Sequence, residues 1–172
     1  MLSIISHIVT AIIVVVSLLI QGHSSFDALR IGGVKPDLLF IAIIYFSYTF
    51  GSFYGEATAF LGGLIHDAVS NAPLGFLTLP KVIVAFTVGL IGRSVIKSNI
   101  LTIAMLMFLS SIFKGIITLL LAIVFHEAVI GDIARVIMPE SFYNALLAPP
   151  LFFLFDRIYE NELPAEGSEG RY

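Results

Sequence analysis

The sequence predicts an all-α polytopic membrane protein, on the evidence of its composition, its long apolar runs and its few, scattered charges. Hydrophobic residues make up 58% of the 172 residues, charged residues 12%, and the mean hydropathy is +1.02. Soluble domains contain roughly 25% charged residues. A spanning helix needs about 20 apolar residues, so six helices use about 120 residues. We therefore expect about six transmembrane helices in one compact bundle, with no room for a soluble catalytic domain.

The first two predicted helices flank a polar loop. Helix 1 covers about residues 2–20, and no Lys or Arg precedes it, so we expect a retained helix and not a signal peptide. Helix 2 begins at Pro36, because a first-turn residue needs no N–H, and runs to about residue 50. Asp37 then lies near the positive end of the helix dipole. The run Lys35-Pro36-Asp37 is either a plain helix start or a contact site.

Four further helices follow by apolar run length and by their turn residues. They cover about residues 54–69, 76–95, 100–125 and 142–158. The charged stretch before the last of them is predicted to be a loop, and Pro149-Pro150 predicts a kink within it.

One domain accounts for nearly the whole chain. We expect residues 1–160 to form a single transmembrane helical domain and residues 161–172 an acidic, disordered cytoplasmic tail. Of the nine Lys and Arg residues, Lys114 falls within a helix and the other eight divide equally between the two sides. The positive-inside rule therefore does not decide the orientation.

Asp67 is the most informative single residue, because it is a carboxylate within an apolar run. An ionised group at the bilayer centre costs about 2.5–3.5 kcal/mol, so it usually faces a partner or a cavity. Counting about 1.5 Å per residue, Lys114 lies at a similar depth if both helices start on the same side. We predict that Asp67 faces the bundle interior and pairs with Lys114 or Lys81. Such a pair could equally be a fold-fixing contact without chemistry.

The remaining polar residues carry no catalytic pattern. His66 is interpreted as an interfacial residue, and His126-Glu127 lacks the second histidine of an H-E-x-x-H motif. Gly62 and Gly63 are interpreted as helix-packing residues. The chain has no cysteine and no basic run, so neither thiolate metal ligands nor a nucleic-acid surface is expected. We predict that the protein is not an enzyme and uses no cofactor.

Three stretches resemble the rod shape-determining protein MreD family. One is Lys35-Pro36-Asp37 with the LLFIAIIYF that follows, and a second is the last predicted helix, SFYNALLAPPLFFLFDRIYE. The most specific is the stretch from Gly63 to Gly75, which is similar to the family signature G-x-x-x-D-x-x-S-x-x-x-L-G. His66 departs from the family pattern, which has an apolar residue there.

The resemblance implies a multi-pass protein of the bacterial inner membrane, with both termini cytoplasmic and a role in cell elongation. It implies MreC as the direct partner, and MreB, RodA and a penicillin-binding transpeptidase as further partners. The family also resembles the substrate-binding subunits of energy-coupling-factor transporters, which implies a six-helix fold with an outward-opening cavity. Fold alone does not carry function.

Two functions remain open at this point. The first is a non-enzymatic scaffold that docks MreC and links it to MreB and the wall synthases, in contact with membrane lipids. The alternative is a transporter subunit that binds a vitamin-like molecule, although helix 1 has Ala11 alone where such subunits carry a small-residue patch. Asp67 and the run from Lys35 to Asp37 are expected to be the most sensitive positions. The full candidate set is Lys35, Pro36, Asp37, Gly63, Asp67, Ser70, Gly75, Lys114 and Asn144.

Overall fold

The computed structural model describes residues 3–23, 34–70, 72–95, 99–125 and 130–163 of the chain. Within these ranges the chain is all-α, as predicted, and forms six helices. They are α1 (Ile4–Gly22), α2 (Leu38–Phe50), α3 (Ser52–Ser70), α4 (Thr78–Val95), α5 (Ile100–Val124) and α6 (Ile130–Ile158).

Two of the helices are long and apolar enough to cross a membrane. These are α1, with 19 residues, and α5, with 25 residues. Helix α2 and the stretch Thr78–Gly92 of α4 are apolar but shorter, as expected for helix 2 from the sequence. Length and composition are therefore compatible with a membrane protein, and six complete spans stay a prediction.

Helix α6 is the main correction to the predicted elements. It begins at Ile130, so the segment 130–140, predicted to be a loop, is helical. One face of this added stretch packs against α5. A Cβ atom placed on Gly115 of α5 would lie 2.7 Å from the Cγ1 atom of Ile137. The contact of Ile137 with Gly115 and the pairing of Glu140 with Lys114 favour a helix here over the loop that the charged residues predicted. The helix also continues through Pro149 and Pro150.

Helix α2 is the centre of the bundle. It contacts each of the other five helices, and all residues from Leu39 to Thr49 are buried. A helix that is apolar on every side is expected in such a position. The aromatic ring of Tyr45 lies 5.2 Å from that of Phe152 and 5.1 Å from that of Phe155, which joins α2 to α6.

The two ends of the chain meet at the end of the bundle away from Asp37. The hydroxyl of Thr10 lies 2.7 Å from the hydroxyls of both Tyr54 and Tyr159. Glu162 accepts hydrogen bonds from Ser3 and Ser6 of the α1 start. The first residues of the predicted tail therefore contact α1. Residues 164–172 lie outside the described ranges, and their disorder stays a prediction.

Candidate functional site

Asp67 is fully buried, as predicted, but its partners are not lysines. Its Oδ2 atom accepts hydrogen bonds from the Gly75 amide at 2.8 Å and from the Thr78 hydroxyl at 2.5 Å. Its Oδ1 atom accepts from the Leu77 amide at 2.8 Å. The predicted pairing with Lys114 or Lys81 is wrong, because both lysines face Asp37. Asp67 instead satisfies donors at the start of α4, where a helix lacks its own acceptors.

Two glycines make this arrangement sterically feasible. A Cβ on Gly63 would lie 2.8 Å from the Cα of Thr78, so α3 and α4 approach each other there only without a side chain. Gly75 has a φ of +93°, a conformation that glycine adopts without strain. The predicted packing role of Gly63 is thus confirmed. We call Gly63, Asp67, Gly75, Leu77 and Thr78 the hairpin clamp.

A second buried carboxylate, Asp37, is the centre of an ion cluster. Its Oδ2 atom accepts from the Lys114 ammonium at 2.9 Å. The same ammonium donates to Oε1 of Glu140 at 2.5 Å, and it lies 4.6 Å from the centre of the Phe40 ring. The cluster therefore joins the start of α2 to the middle of α5 and to α6.

Asp37 and Asn144 also carry structural hydrogen bonds. The Oδ1 atom of Asp37 caps α2 by accepting from the Phe40 amide at 2.9 Å. Asn144 is fully buried; its Oδ1 accepts from the Asp37 amide at 2.8 Å, and its Nδ2 donates to the Ser111 hydroxyl at 3.1 Å. The helix-start interpretation of the Lys35-Pro36-Asp37 run is therefore confirmed, and the contact-site interpretation stays a prediction. The helix begins at Leu38, two residues after the predicted first-turn proline.

Lys81 and His66 complete the cluster and correct the interfacial interpretation of His66. The Lys81 side chain is 2% exposed, and its Nζ lies 3.6 Å from Oδ2 of Asp37. The same Nζ lies 3.2 Å from Nδ1 of His66 and 3.4 Å from the Leu77 carbonyl. Lysine only donates, so this nitrogen of His66 is an acceptor and the ring is neutral.

A cavity of about 520 Å³ opens beside these charges. Small-molecule sites in proteins usually have volumes of about 300–1,000 Å³. Within the described parts of the chain, no three His, Asp or Glu side chains are grouped so as to hold a metal ion. The cavity is lined by Gln21, Lys35, Pro36, Asp37, His66, Leu77, Lys81, Lys114, Gly115, Thr118, Val136, Ile137 and Glu140.

The predicted set leaves out four polar residues of the cavity lining, namely Gln21, His66, Thr118 and Glu140, and the sequence pointed to Lys81 only as a possible partner of Asp67. Glu140 and Asn144 are four residues apart and thus share a helix face. This spacing identifies Glu140 only when residues 130–140 are assigned to a helix, and their charges predict a loop. Of the predicted residues, Lys35, Pro36, Asp37 and Lys114 line the cavity, and Asn144 contacts Glu140. Gly63, Asp67 and Gly75 belong to the hairpin clamp, and Ser70 is exposed at the end of α3.

An apolar groove of about 720 Å³ lies between α5 and α6. Two alanines are part of its lining, and Phe142, Leu146 and Phe153 are exposed along it. The complete lining is Ile100, Ala104, Phe142, Ala145, Leu146, Pro149, Pro150 and Phe153.

The family model of the rod shape-determining protein MreD matches residues 1–161 of the chain. The chain belongs to the MreD family. No curated protein and no solved structure matched it. MreD proteins are membrane-associated components of rod-shape determination and are not known as enzymes.

Of the three stretches that carry the MreD resemblance, one forms the connection between α3 and α4, and the other two contact each other. The central signature, from Gly63 to Gly75, contains three members of the hairpin clamp and connects α3 to α4. The run at Asp37 and the last helix at Asn144 meet in the ion cluster. Their direct contact, 107 residues apart in sequence, explains how two weak sequence signals describe one structural unit.

Proposed function

We propose that this MreD-family protein is a non-enzymatic scaffold of the bacterial cell-elongation complex. In this proposal it crosses the inner membrane six times, keeps both termini in the cytoplasm and binds MreC directly. MreB, RodA and a penicillin-binding transpeptidase join through that complex. Family membership supports the rod-shape role, and the lengths of α1 and α5 support the membrane location.

The groove between α5 and α6 is the observation that carries the docking proposal. Lipid tails are as apolar as leucine, so helices associate in membranes through close packing and not through hydrophobicity. Small residues allow that packing, and the groove lining contains Ala104 of α5 and Ala145 of α6. We assign the groove to the single transmembrane helix of MreC.

Because of its two prolines, α6 presents backbone carbonyl groups in the groove that lack their usual helical donors. Pro149 and Pro150 have no N–H to donate to the carbonyls four residues earlier, which are those of Ala145 and Leu146. Both of those residues line the groove. A hydroxyl or amide on a docked helix would satisfy a backbone acceptor that lipid leaves unpaired.

Co-purification with MreC tests the assignment. Ala145→Phe fills the groove, whereas Ala57→Phe makes the same change on the exposed face of α3. After co-expression and transfer to nanodiscs, we expect Ala145→Phe to reduce recovered MreC at least fivefold and Ala57→Phe to leave it unchanged. Equal recovery with both variants would reject the groove, and no association of the unmodified protein would reject the scaffold.

Cross-linking provides a direct measurement of the contact. The chain contains no cysteine, so a single introduced cysteine reports on one position. We expect Leu146→Cys, in the groove, to form disulfides with cysteines along one face of the MreC helix. Leu109→Cys, exposed on α5 but outside the groove lining, is the matched control.

The cavity favours the alternative function, a transporter subunit that binds a small molecule. Its volume of about 520 Å³ and its buried charges are features of a ligand site. A fold like that of energy-coupling-factor substrate-binding subunits is part of this alternative. Native mass spectrometry of the purified protein distinguishes the two: a stoichiometric vitamin-like molecule together with co-purified transporter subunits supports the alternative, and MreC supports the scaffold.

A further inference from the structure

We infer that the charged cavity binds the anionic group, a phosphate or a carboxylate, of an amphipathic small molecule. This inference does not depend on MreC docking, because the cavity and the groove share no lining residue. It depends on three observations: the incomplete pairing of Lys81, the donor beside it on His66, and the apolar residues in the cavity lining.

Lys81 and Lys114 are paired to very different degrees. The Lys114 ammonium donates at 2.9 Å to Asp37 and also binds Glu140, so two carboxylates neutralise it. Lys81 has only the same Asp37 oxygen, at 3.6 Å. Charge-assisted hydrogen bonds between ammonium and carboxylate are usually about 2.7–2.9 Å. Among the residues that the structure describes, Lys81 is therefore buried without a short ionic hydrogen bond.

The other two contacts of Lys81 are with neutral acceptors and are long. They are Nδ1 of His66 at 3.2 Å and the carbonyl of Leu77 at 3.4 Å. Burying a charge is costly unless it is paired and hydrogen-bonded. An anion in the cavity would supply the missing partner, because the cavity is lined by Lys81 itself.

His66 adds a second donor at the same place. Its Nδ1 accepts from Lys81, so the hydrogen of the neutral ring is on Nε2. A phosphate or carboxylate oxygen can accept from both an ammonium and an imidazole N–H. A cationic ligand would instead meet two buried ammonium groups, while the carboxylates are already engaged by Lys114.

The remaining lining predicts an apolar portion on the ligand. Pro36, Leu77, Val136 and Ile137 contribute hydrocarbon to the lining, and Ile137 packs closely against Gly115. Sites of this kind combine apolar walls with a few placed polar groups. Two sources supply such a molecule, namely the head group of an anionic lipid or a free organic phosphate or carboxylate.

Hexyl phosphate is a suitable soluble probe, with the protein in phosphatidylcholine nanodiscs and titration calorimetry as the measurement. Lys81→Gln removes the charge, and Arg157→Gln removes an exposed charge at the last turn of α6. We expect Lys81→Gln to weaken binding at least tenfold and Arg157→Gln to leave it within twofold. No saturable binding to the unmodified protein, or equal binding by both variants, would overturn the inference.

Val136→Phe is the second variant, because it narrows the apolar part of the cavity without changing a charge. We expect a tenfold loss of hexyl phosphate binding with an unchanged unfolding temperature. Retention of MreC by this variant and by Lys81→Gln would separate the ligand site from docking. If Val136→Phe has an unchanged unfolding temperature and binds hexyl phosphate as tightly as the unmodified protein, the result would count against an amphipathic ligand.

Native mass spectrometry identifies the source. Nanodiscs containing phosphatidylcholine with 10% phosphatidylglycerol are compared with phosphatidylcholine nanodiscs that receive hexyl phosphate. Retained phosphatidylglycerol that depends on Lys81 indicates a lipid head group, and retained hexyl phosphate alone indicates a free ligand. Retention of neither would reject the site.

Discussion

Asp67 and Asp37 are two buried carboxylates with opposite kinds of partner. Among the residues that the structure describes, the donors to the Asp67 carboxylate are neutral, two backbone amides and a hydroxyl, all within 11 residues along the chain. Asp37 pairs with Lys114, 77 residues away, and faces a second lysine. Its side chain is 11% exposed and lines a cavity, whereas Asp67 is fully buried.

The partners of Asp67 are those of a residue that stabilises the fold, and the partners of Asp37 are those of a residue beside a ligand site. A carboxylate that binds backbone amides holds one conformation, because its donors cannot leave without unfolding the turn. A carboxylate that pairs with lysine side chains beside a cavity leaves those lysines able to bind a ligand in the cavity as well. The hydrogen bonds of Asp67 join α3 to the start of α4, whereas Asp37 lines the cavity that we infer to be a ligand site.

Asp67→Leu is expected to have the largest effect. It leaves three donors without an acceptor, the buried hydroxyl of Thr78 and the part-buried amides of Gly75 and Leu77, each at about 1–3 kcal/mol, so we expect a loss of about 5 kcal/mol of stability. Thermal unfolding in nanodiscs measures it. The double variant Asp67→Lys with Lys114→Asp exchanges the two charges, and we expect it to be no more stable than Asp67→Lys alone. A higher stability of the double variant would restore the hypothesis that Asp67 and Lys114 form an ion pair.

Lys114→Met should have the next largest effect, about 3 kcal/mol, because it removes the ammonium partner of the Glu140 carboxylate and leaves the Asp37 carboxylate with the more distant Lys81, at 3.6 Å. The double variant with Asp37→Asn removes one of these charges. We expect it to recover part of the loss in the same unfolding measurement. If the double variant is less stable than Lys114→Met alone, the ion cluster does not account for the effect.

Gly63→Ala should cost about 2 kcal/mol, because its Cβ would press on the backbone of Thr78. Gly131→Ala is the matched control, since nothing lies within 4 Å of the Cβ position there. Chemical unfolding of both variants tests this difference. Equal stability would mean that α3 and α4 separate without cost.

Glu162→Gln is expected to have the smallest effect, which is present near neutral pH and is lost in acid. Hydrogen bonds from Ser3 and Ser6 hold the pKa of Glu162 below its ordinary value of 4.5. A lowered pKa stabilises the fold above the unfolded-state pKa, and the contribution is lost as the pH falls below it. We expect the two proteins to differ in unfolding temperature at pH 6 and to converge by pH 3. A constant difference would exclude this carboxylate as the cause.

The sequence predicted the features that depend on local pattern. Apolar run length located all six helices, and the polarity of one residue in an apolar run placed Asp67 inside. The partners of Asp67 were not predictable in this way, because depth along two helices does not fix which faces meet. Glu140 was missed because its charge indicated a loop, whereas its neutralisation by Lys114, 26 residues earlier, depends on the folded arrangement.

Helix α2 has a consequence for how the protein is assembled. Its 13 residues span only about 20 Å, less than the roughly 30 Å of a hydrocarbon core. Protein surrounds it on all sides, so bilayer thickness places no demand on its length. During biogenesis this segment would be a poor insertion signal by itself, and it should reach its position only after its neighbours have entered the membrane.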